Sequence, residues 1–396
     1  MKICLIAPLF DPWLIGGAER YVTMLANALY KYHEVIVITT VGPRHRSDAK
    51  QNVIEIRTKN ICSLYDMVSN SLSIGIAKKS LWHLLDLWNP LAYKELKNIL
   101  DKEKPDLIHT NGIQGFSASL FTAIKHLQIP NIHTTHDYEL ISRWSSLFRN
   151  GKPILRYNLF DLMYIRYSRR LSSTIDAVIS PSKFVMDLHV RLGFFGRSKK
   201  YIVPNGMRLE NNIMTIDGNS GNEFLFIGQI VKHKGPQIAI KAFKRLKEKN
   251  ARLHIVGNGS YLETAKRIAE KDERIIFHGF IENKKDLEKI IDRCSYVIFP
   301  SIWYEVFGLV IIEAMNRGLP VIASNIGAIP ELIKDGYNGF LFEPGDVDSL
   351  HSIIENLVNL KKISSDLNKN AIDSSKNFSI EKHLKSILDI YNQNVR

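Results

Sequence analysis

Two acids, Glu305 and Glu313, bracket the start of a predicted helix in a largely apolar stretch. Tyr296 to Phe299 reads as a short strand, Gly308 to Arg317 as a helix, and Gly318-Leu319-Pro320 as its left-handed cap and stop. Glu313 falls inside the helix among Leu309, Val310, Ile311, Ile312, Ala314 and Met315. A carboxylate in such company costs several kcal/mol unless something satisfies it, so Glu313 is expected to face a cleft or a buried partner. The backbone N–H groups of Phe307, Gly308 and Leu309 are open to an anion at the helix start. Acid, open terminus and acid suit a sugar nucleotide. One carboxylate accepts two hydrogen bonds from vicinal ribose hydroxyls, the terminus takes the diphosphate, and the other carboxylate holds hydroxyls of the sugar.

Other chemistry-bearing residues fall in loops that follow predicted strands. Lys234, in Gly228-Gln229-Ile230-Val231-Lys232-His233-Lys234-Gly235-Pro236, enters a helix where a cation neutralises phosphate oxygens as charge builds on a leaving diphosphate. Lys232 is a rival for that role, and a solvated loop is the plain alternative. Gly16-Gly17-Ala18-Glu19 leads from the first strand into a helix, where two glycines let the backbone approach phosphate or sugar, although a tight turn uses the same pair. His136, in Thr134-Thr135-His136-Asp137, closes a later strand, and a structural or a functional role suits it equally. Gly257-Asn258-Gly259-Ser260 repeats the glycine turn, whereas Gly327-Ala328-Ile329-Pro330-Glu331 and Asp335-Gly336-Tyr337-Asn338-Gly339 read as structural.

These loops need two α/β halves to hold them. The first half alternates apolar strands (3–7, 35–39, 53–56, 107–109, 131–135, 177–180, 201–203) with helical segments (18–30, 91–101, 115–126, 183–192), the pattern of a parallel sheet whose ligands bind beyond the carboxyl ends of its strands. A polar stretch from Glu210 to Asn222 reads as the linker. A second series follows, with strands at 223–228, 253–256, 275–278, 296–299 and 321–323. The last segment, Ile380 to Asn394, carries a helical apolar stripe that needs a surface to pack on.

Length and composition agree: 396 residues, 45% hydrophobic and 23% charged, suit two folded domains and exclude a disordered chain. Cys4, Cys62 and Cys294 form neither a zinc spacing nor a disulfide framework, which points to a reducing, cytoplasmic compartment. The apolar start is broken by Asp11-Pro12 and reads as a buried first strand rather than a signal peptide. Of the net charge of +13, residues 1–210 hold nearly all, with 28 basic against 17 acidic residues. Either an anionic partner or a solvated basic surface accounts for that asymmetry.

Taken together, these residues resemble the retaining glycosyltransferases of family 4, whose GT-B fold is a pair of α/β, Rossmann-like, doubly wound domains facing each other across a cleft. The likeness covers essentially the whole chain. It is carried by the E-x(7)-E spacing of Glu305 and Glu313, by Gly318 to Ser324 and Gly339 to Asp346, and in the first half by Gly16 to Glu19, Asp106 to His109, His136-Asp137 and Val203 to Gly206. It implies an acceptor-side domain over residues 1–208, a donor-binding domain over 209–378, and a C-terminal helix, 379–396, packing back on the first. It also implies roles. Glu313 would hold the ribose hydroxyls, Glu305 the transferred sugar, and the amides of Phe307, Gly308 and Leu309 would touch sugar and phosphate. Lys234 would sit on the diphosphate, Gly16 and Gly17 would approach it from the other domain, and His136 would contact the sugar near the reacting carbon. His136, Lys234 and Glu305 are the catalytic set this implies.

The family usually shows Gly-Arg where this chain has Gly228-Gln229. Gln229 donates a hydrogen bond but no charge, which shifts diphosphate stabilisation toward Lys234 and the helix terminus. The implied reaction moves a hexose-type sugar, with retention, from a UDP- or GDP-linked donor to a hydroxyl of a saccharide or lipid-linked acceptor. No cofactor and no metal are expected, the chain being read as free of an Asp-x-Asp metal motif, and front-face attack is the implied route. Two rivals share the fold: a catalytically weak or inactive sugar-nucleotide-binding protein, favoured by Gln229, and a sugar-nucleotide epimerase.

The acceptor-side half is the basic one. From Ile141 to Arg170, Arg143, Arg149, Lys152, Arg156, Arg166, Arg169 and Arg170 face a single acid, Asp161, and are interleaved with Trp144, Phe148, Tyr157, Phe160, Tyr164 and Tyr167. Basic and aromatic together suggest peripheral attachment to an anionic membrane surface, on the inner face of the cell membrane, with a solvated helix face as the alternative. Nucleic acid is not an expected partner, since no binding motif accompanies the charge.

Overall fold

The central apolar runs read as strands are buried on both faces, and such runs pair in parallel beneath covering helices. The computed structural model describes residues 1–14, 16–42, 52–58, 60–69, 74–149, 151–154, 156–209, 222–360 and 365–395. The expected linker, save Asn222, lies outside the described residues. The chain forms two compact units, one of residues 1–146, 156–207 and 381–396, the other of residues 147–155 and 208–380.

Seven strands make the sheet of the first unit: β1 (Lys2–Ala7), β2 (Glu34–Thr40), β3 (Val53–Ile56), β4 (Leu107–Thr110), β5 (Asn131–Thr134), β8 (Ala177–Ser180) and β9 (Lys199–Ile202). The numbers β6 (Phe148–Arg149) and β7 (Lys152–Pro153) fall to an antiparallel hairpin that belongs to the second unit. The sheet order is β3-β2-β1-β4-β5-β8-β9, all parallel, so the strand order reverses between β1 and β4. Around it stand α1 (Gly17–Leu29), α2 (Leu64–Ser69), α3 (Ile76–Leu85), α4 (Pro90–Glu103), α5 (Ser119–Leu127), α6 (Leu159–Ser172) and α7 (Lys183–Arg191). Their starts are chemically marked. Asn89 accepts from the amides of Leu91 and Ala92, and Asn158 and Asp161 form a capping box.

The second unit repeats the scheme with β10 (Glu223–Ile227), β11 (Arg252–Val256), β12 (Ile275–Gly279), β13 (Tyr296–Phe299), β14 (Val321–Ser324) and β15 (Gly339–Phe342). Their order, β12-β11-β10-β13-β14-β15, again reverses beside the first strand. Its helices are α8 (Pro236–Lys244), α9 (Leu262–Ala269), α10 (Lys284–Ile291), α11 (Leu309–Asn316), α12 (Ile329–Leu332), α13 (Val347–Asn359) and α14 (Ser365–Ser375). The last helix, α15 (Ile380–Asn394), returns to the first unit, where Ile387, Ile390 and Tyr391 join the core around Ile3, Leu5 and Tyr21.

All twelve predicted strands are present. The one at 201–203 starts earlier, at Lys199. Beyond these twelve, Gly339–Phe342 forms the edge strand β15, paired with β14.

Candidate active site

In the second unit the site is built at the reversal point, from the loops that leave β10 and β13. Lys234 ends a single 3-10 turn, Lys232–Lys234, and the chain then passes Gly235 at φ 75° into α8. A Cβ at Gly235 would stand 1.8 Å from the Pro300 carbonyl oxygen, so only glycine lets the two loops meet. The Ile302 amide donates to the His233 carbonyl at 2.8 Å and closes the junction. Across it, Lys234 Nζ donates to Glu305 Oε1 at 2.7 Å, and Ser301 Oγ donates to the same oxygen at 2.8 Å. Glu305 is buried, while Lys234 keeps partial access to solvent over the rings of Trp303 and Phe299. Burial, and then the charge of Lys234, push the His233 imidazole down to about 4, so it is neutral at physiological pH.

Glu305 is also held from behind. The Ala328 amide donates to its carbonyl at 2.9 Å, and a Cβ at Gly327 would come within 2.5 Å of its nitrogen. The turn at Gly327, read as structural, therefore fixes the backbone of an expected site residue. Beyond Glu305, α11 starts from Gly308 with no side-chain cap, which leaves the first-turn amides to other acceptors.

Glu313 differs from expectation. It lies on the exposed stripe of α11, while Ile311, Ile312, Ala314 and Met315 face the core. The side chain is exposed, so the cost of a fully buried carboxylate does not arise. Lys234 and Glu305 are in contact; Lys232 is exposed and its carbonyl accepts from Gln237. Gln229 is exposed on the same loop. The chain does carry one Asp-x-Asp spacing, Asp346-Val347-Asp348, contrary to the sequence reading. There the Asp346 carboxylate caps α13 through the amides of Asp348 and Ser349, and Asp348 pairs with Arg245.

In the first unit a pocket opens at the carboxyl ends of β1, β4 and β5, lined in part by Pro8, Glu19, Asn111, His136, Asp137 and Glu139. His136 donates from Nε2 to Asn111 Oδ1 at 2.9 Å and packs on the Tyr21 ring, 4.7 Å between centroids. Burial, with His383 adding to it, pushes its imidazole down to about 3. It is thus a neutral ring with Nδ1 free of the proton. Glu139 accepts from the Ile113 amide at 2.9 Å and the Gln114 amide at 3.3 Å, and burial holds its pKa well above the carboxylate range. Burial also raises Asp137 to about 6 and Asp86, which accepts from the Gly115 amide, to about 7. The Gly16 amide is already engaged: it donates to Glu19 Oε2 at 2.7 Å as the start of α1. Gly17 is exposed.

The sequence reading gave no site role to Ser301 and Trp303 around Lys234, or to Asn111, Asp137 and Glu139 around His136. All five lie within a few residues of a strand's carboxyl end, which is the signal that marks them.

Comparison with known proteins gives this geometry its context. The profile described as Glycosyltransferase Family 4 matches residues 15–211, and that described as Glycosyl transferases group 1 matches residues 217–374. A glycogen synthase of Mycobacterium tuberculosis is 31% identical, over 90% of this chain and 86% of its own length. A UDP-Gal:alpha-D-GlcNAc-diphosphoundecaprenol alpha-1,3-galactosyltransferase of Escherichia coli is 26% identical, over 75% of this chain and 77% of its own. The crystal structure of Anabaena HepE in complex with UDP superimposes with a TM-score of 0.75 at 20% identity, covering 99% of this chain and 100% of that one. With two Rossmann-like units, a helix-start site in the second and both profiles in sequence order, the chain belongs to the family 4, group 1 glycosyltransferases of GT-B fold.

Proposed function

We propose that this glycosyltransferase moves a hexose-type sugar from a UDP- or GDP-linked donor to a hydroxyl of a saccharide or lipid-linked acceptor, with retention, in the building of a cell-surface polysaccharide or glycolipid. The observation that carries the reading is the Lys234–Glu305 pair beside the uncapped start of α11. Lys234 and the first-turn amides of Phe307, Gly308 and Leu309 supply positive charge for a diphosphate without a resident metal. Glu305 and the exposed Glu313 supply acceptors for sugar and ribose hydroxyls. Gln229 adds a neutral donor on the same loop. In the first unit, neutral His136 offers Nδ1 as an acceptor for a sugar hydroxyl, and the Gly16–Gly17 backbone is the turn open to a phosphate.

In the step itself the acceptor oxygen bonds to the anomeric carbon as the bond to the diphosphate breaks on the same face. The leaving diphosphate takes the electron pair and then the acceptor proton. Two relatives support the choice of partners. The Escherichia coli enzyme is named for a UDP-sugar donor and a polyprenyl-diphosphate acceptor, and HepE holds UDP. Such an acceptor places the protein at the cytoplasmic face of a membrane. No helix among the described residues is long and apolar enough to cross one.

The test is a thermal-shift screen of UDP- and GDP-sugars, followed by proton NMR of the product. A donor at a hundred times its dissociation constant adds about 2.7 kcal/mol. The expected product keeps the anomeric configuration of the donor and forms equally in EDTA. No shift with any nucleotide sugar refutes the reading, and release of an altered nucleotide sugar without acceptor replaces it with epimerisation.

A further inference from the structure

Ten of the nineteen exposed large apolar side chains of the described residues fall in two short segments of the first unit and the loop that follows β5. One segment is the last turn of α3 and the corner into α4, with Leu81, Leu84, Leu85, Trp88 and Leu91 exposed. The other is the first two turns of α6, with Leu159, Phe160, Leu162 and Met163 exposed; the tenth residue is Trp144. The segments are neighbours. Tyr167 of α6 donates to the Leu87 carbonyl at 2.8 Å, and Trp144 stands edge-on to His83 of α3, 4.3 Å between ring centroids.

Along α6 one helix face changes from covered to exposed among the described residues. Tyr164 and Tyr167 point inward, to the carbonyls of Glu139 and Leu87. Phe160 and Met163 precede them by one turn each and so share their face. Yet Phe160 is 77% and Met163 61% exposed. Among the described residues, the stripe covered at Tyr164 and Tyr167 is uncovered at Phe160 and Met163.

This revises the sequence reading of Ile141 to Arg170. Of its aromatics, Tyr164 and Tyr167 are committed inside, and Phe148 packs on His233 in the second unit. Trp144 and Phe160 are exposed and join the surface, but seven of its ten side chains are aliphatic, and half of the ten lie at the α3–α4 corner, outside that stretch. Charge lies around it in the expected sign. Exposed Arg166, Arg169 and Arg170 continue α6, and Lys78, Lys79, Lys94 and Lys97 lie on α3 and α4. The acids of the same elements are Asp86 in the corner, turned to the Gly115 amide, Asp161, fixed in its capping box, Glu95, and Asp101 and Glu103 at the far end of α4. Trp88 stacks on Tyr93 at the margin, as rings do at a lipid–water boundary.

We infer that the α3–α4 corner and the start of α6 form one surface that inserts into an anionic lipid bilayer, its aliphatic side chains below the headgroups and its lysines and arginines at their level. Ten large apolar side chains exposed together are unusual on a soluble monomer, and surroundings in which bases outnumber acids fit an anionic bilayer. The inference rests on the reading of a lipid-linked acceptor and adds to it the surface and the mode of contact, insertion rather than charge attraction alone.

Co-sedimentation with phosphatidylglycerol-containing vesicles at about 0.15 M salt tests it. The full chain should pellet with these vesicles and keep a measurable part of that binding at high salt. Phe160→Ser with Met163→Ser should lower the partition by roughly tenfold or more, and Leu84→Ser with Leu85→Ser should do the same independently. Unchanged binding in both pairs, with complete release by salt, overturns insertion. A concentration-dependent dimer that Phe160→Ser abolishes assigns the surface to a second copy and overturns it too. Protein that hydrolyses a nucleotide sugar yet stays in the supernatant removes the surface and leaves the catalytic reading intact. Unaltered circular dichroism and donor hydrolysis in the variants exclude misfolding.

Discussion

The Lys234–Glu305 pair defines a double-mutant cycle whose outcome follows from the unequal burial of its ends. The Glu305 side chain is 6% exposed and that of Lys234 25%. Lys234→Ala leaves a carboxylate out of water with Ser301 Oγ as its remaining side-chain donor among the described residues. Breaking a fully buried pair in this way costs about 3–5 kcal/mol. Water reaching the lysine end brings the figure here to about 2–3 kcal/mol. Glu305→Gln keeps an oxygen for both Nζ and Ser301 and leaves a cation that reaches solvent, so its cost is about 1 kcal/mol. The double variant isolates no charge, and the two changes should fall short of additivity by roughly 1–2 kcal/mol.

Urea unfolding read through Trp303 measures this in the right place. Trp13, Trp82, Trp88 and Trp144 lie in the first unit, and Trp303 is the tryptophan of the second. Equal costs for the two single variants, or additivity within about 0.5 kcal/mol, would refute the account of a carboxylate held by its lysine. Turnover supplies a second reading of the same cycle. Each single change should lower it on the order of 10² or more, and the double no further than the worse single, as for groups that act as a unit.

Three further outcomes are expected. Glu313→Gln should raise the donor KM by about tenfold to a hundredfold through weaker hydrogen bonds to ribose, with little change in kcat or melting temperature because the side chain is exposed; a loss confined to kcat contradicts the ribose role. His136, held at about 3 by burial, stays neutral through the working range, so His136→Ala should cut turnover while contributing no inflection near pH 6.5; a limb there that disappears in His136→Asn contradicts this. Asp86 has its pKa raised by burial from 3.8 to about 7, so the folded chain keeps a proton that the unfolded chain has lost. Its contribution to stability is full below about pH 4 and is lost as pH rises toward 7. Asp86→Asn should therefore melt higher than the parent at pH 8, by on the order of 1.4 kcal/mol per pH unit of separation, and equally at pH 4, as differential scanning calorimetry would show.

Much of this arrangement was legible because its signals are local. Parallel strands buried on both faces announce themselves as continuous apolar runs, and the loops that carry Lys234, Glu305 and His136 directly follow such runs. What was not legible depends on which way a side chain turns. Glu313 sits in an apolar octet, yet helix periodicity puts it on the exposed stripe. Glu139 follows His136 by three residues, but its value as a pocket residue comes from the amides of Ile113 and Gln114, which the β4–α5 loop brings from elsewhere. The hairpin β6–β7 belongs to the second unit although its neighbours on both sides belong to the first, and nothing in its six residues announces that. The Asp-x-Asp at Asp346 was overlooked, and its carboxylates turn out to start a helix and pair with Arg245.

The end of the chain bears on the first unit's pocket through buried polar contacts as well as apolar packing. His383 Nδ1 faces the Pro204 carbonyl at 2.7 Å and must donate to it, which leaves Nε2 as acceptor for the Tyr21 hydroxyl at 2.8 Å. Burial keeps that imidazole neutral, down to about 4, so the tautomer is fixed across the physiological range. Tyr21 then offers its ring to His136. A second strut runs from the Tyr391 hydroxyl to His109 Nδ1, 2.6 Å, and from His109 Nε2 to Thr134 Oγ1, 2.6 Å, at the end of the strand that carries His136. Each strut buries polar atoms that cost about 1–3 kcal/mol if left unpaired, so α15 cannot slide along its apolar stripe without breaking both. α15 thus fixes both the ring beside His136 and the strand that leads to it, which is why a helix remote from that pocket in sequence belongs to its structure.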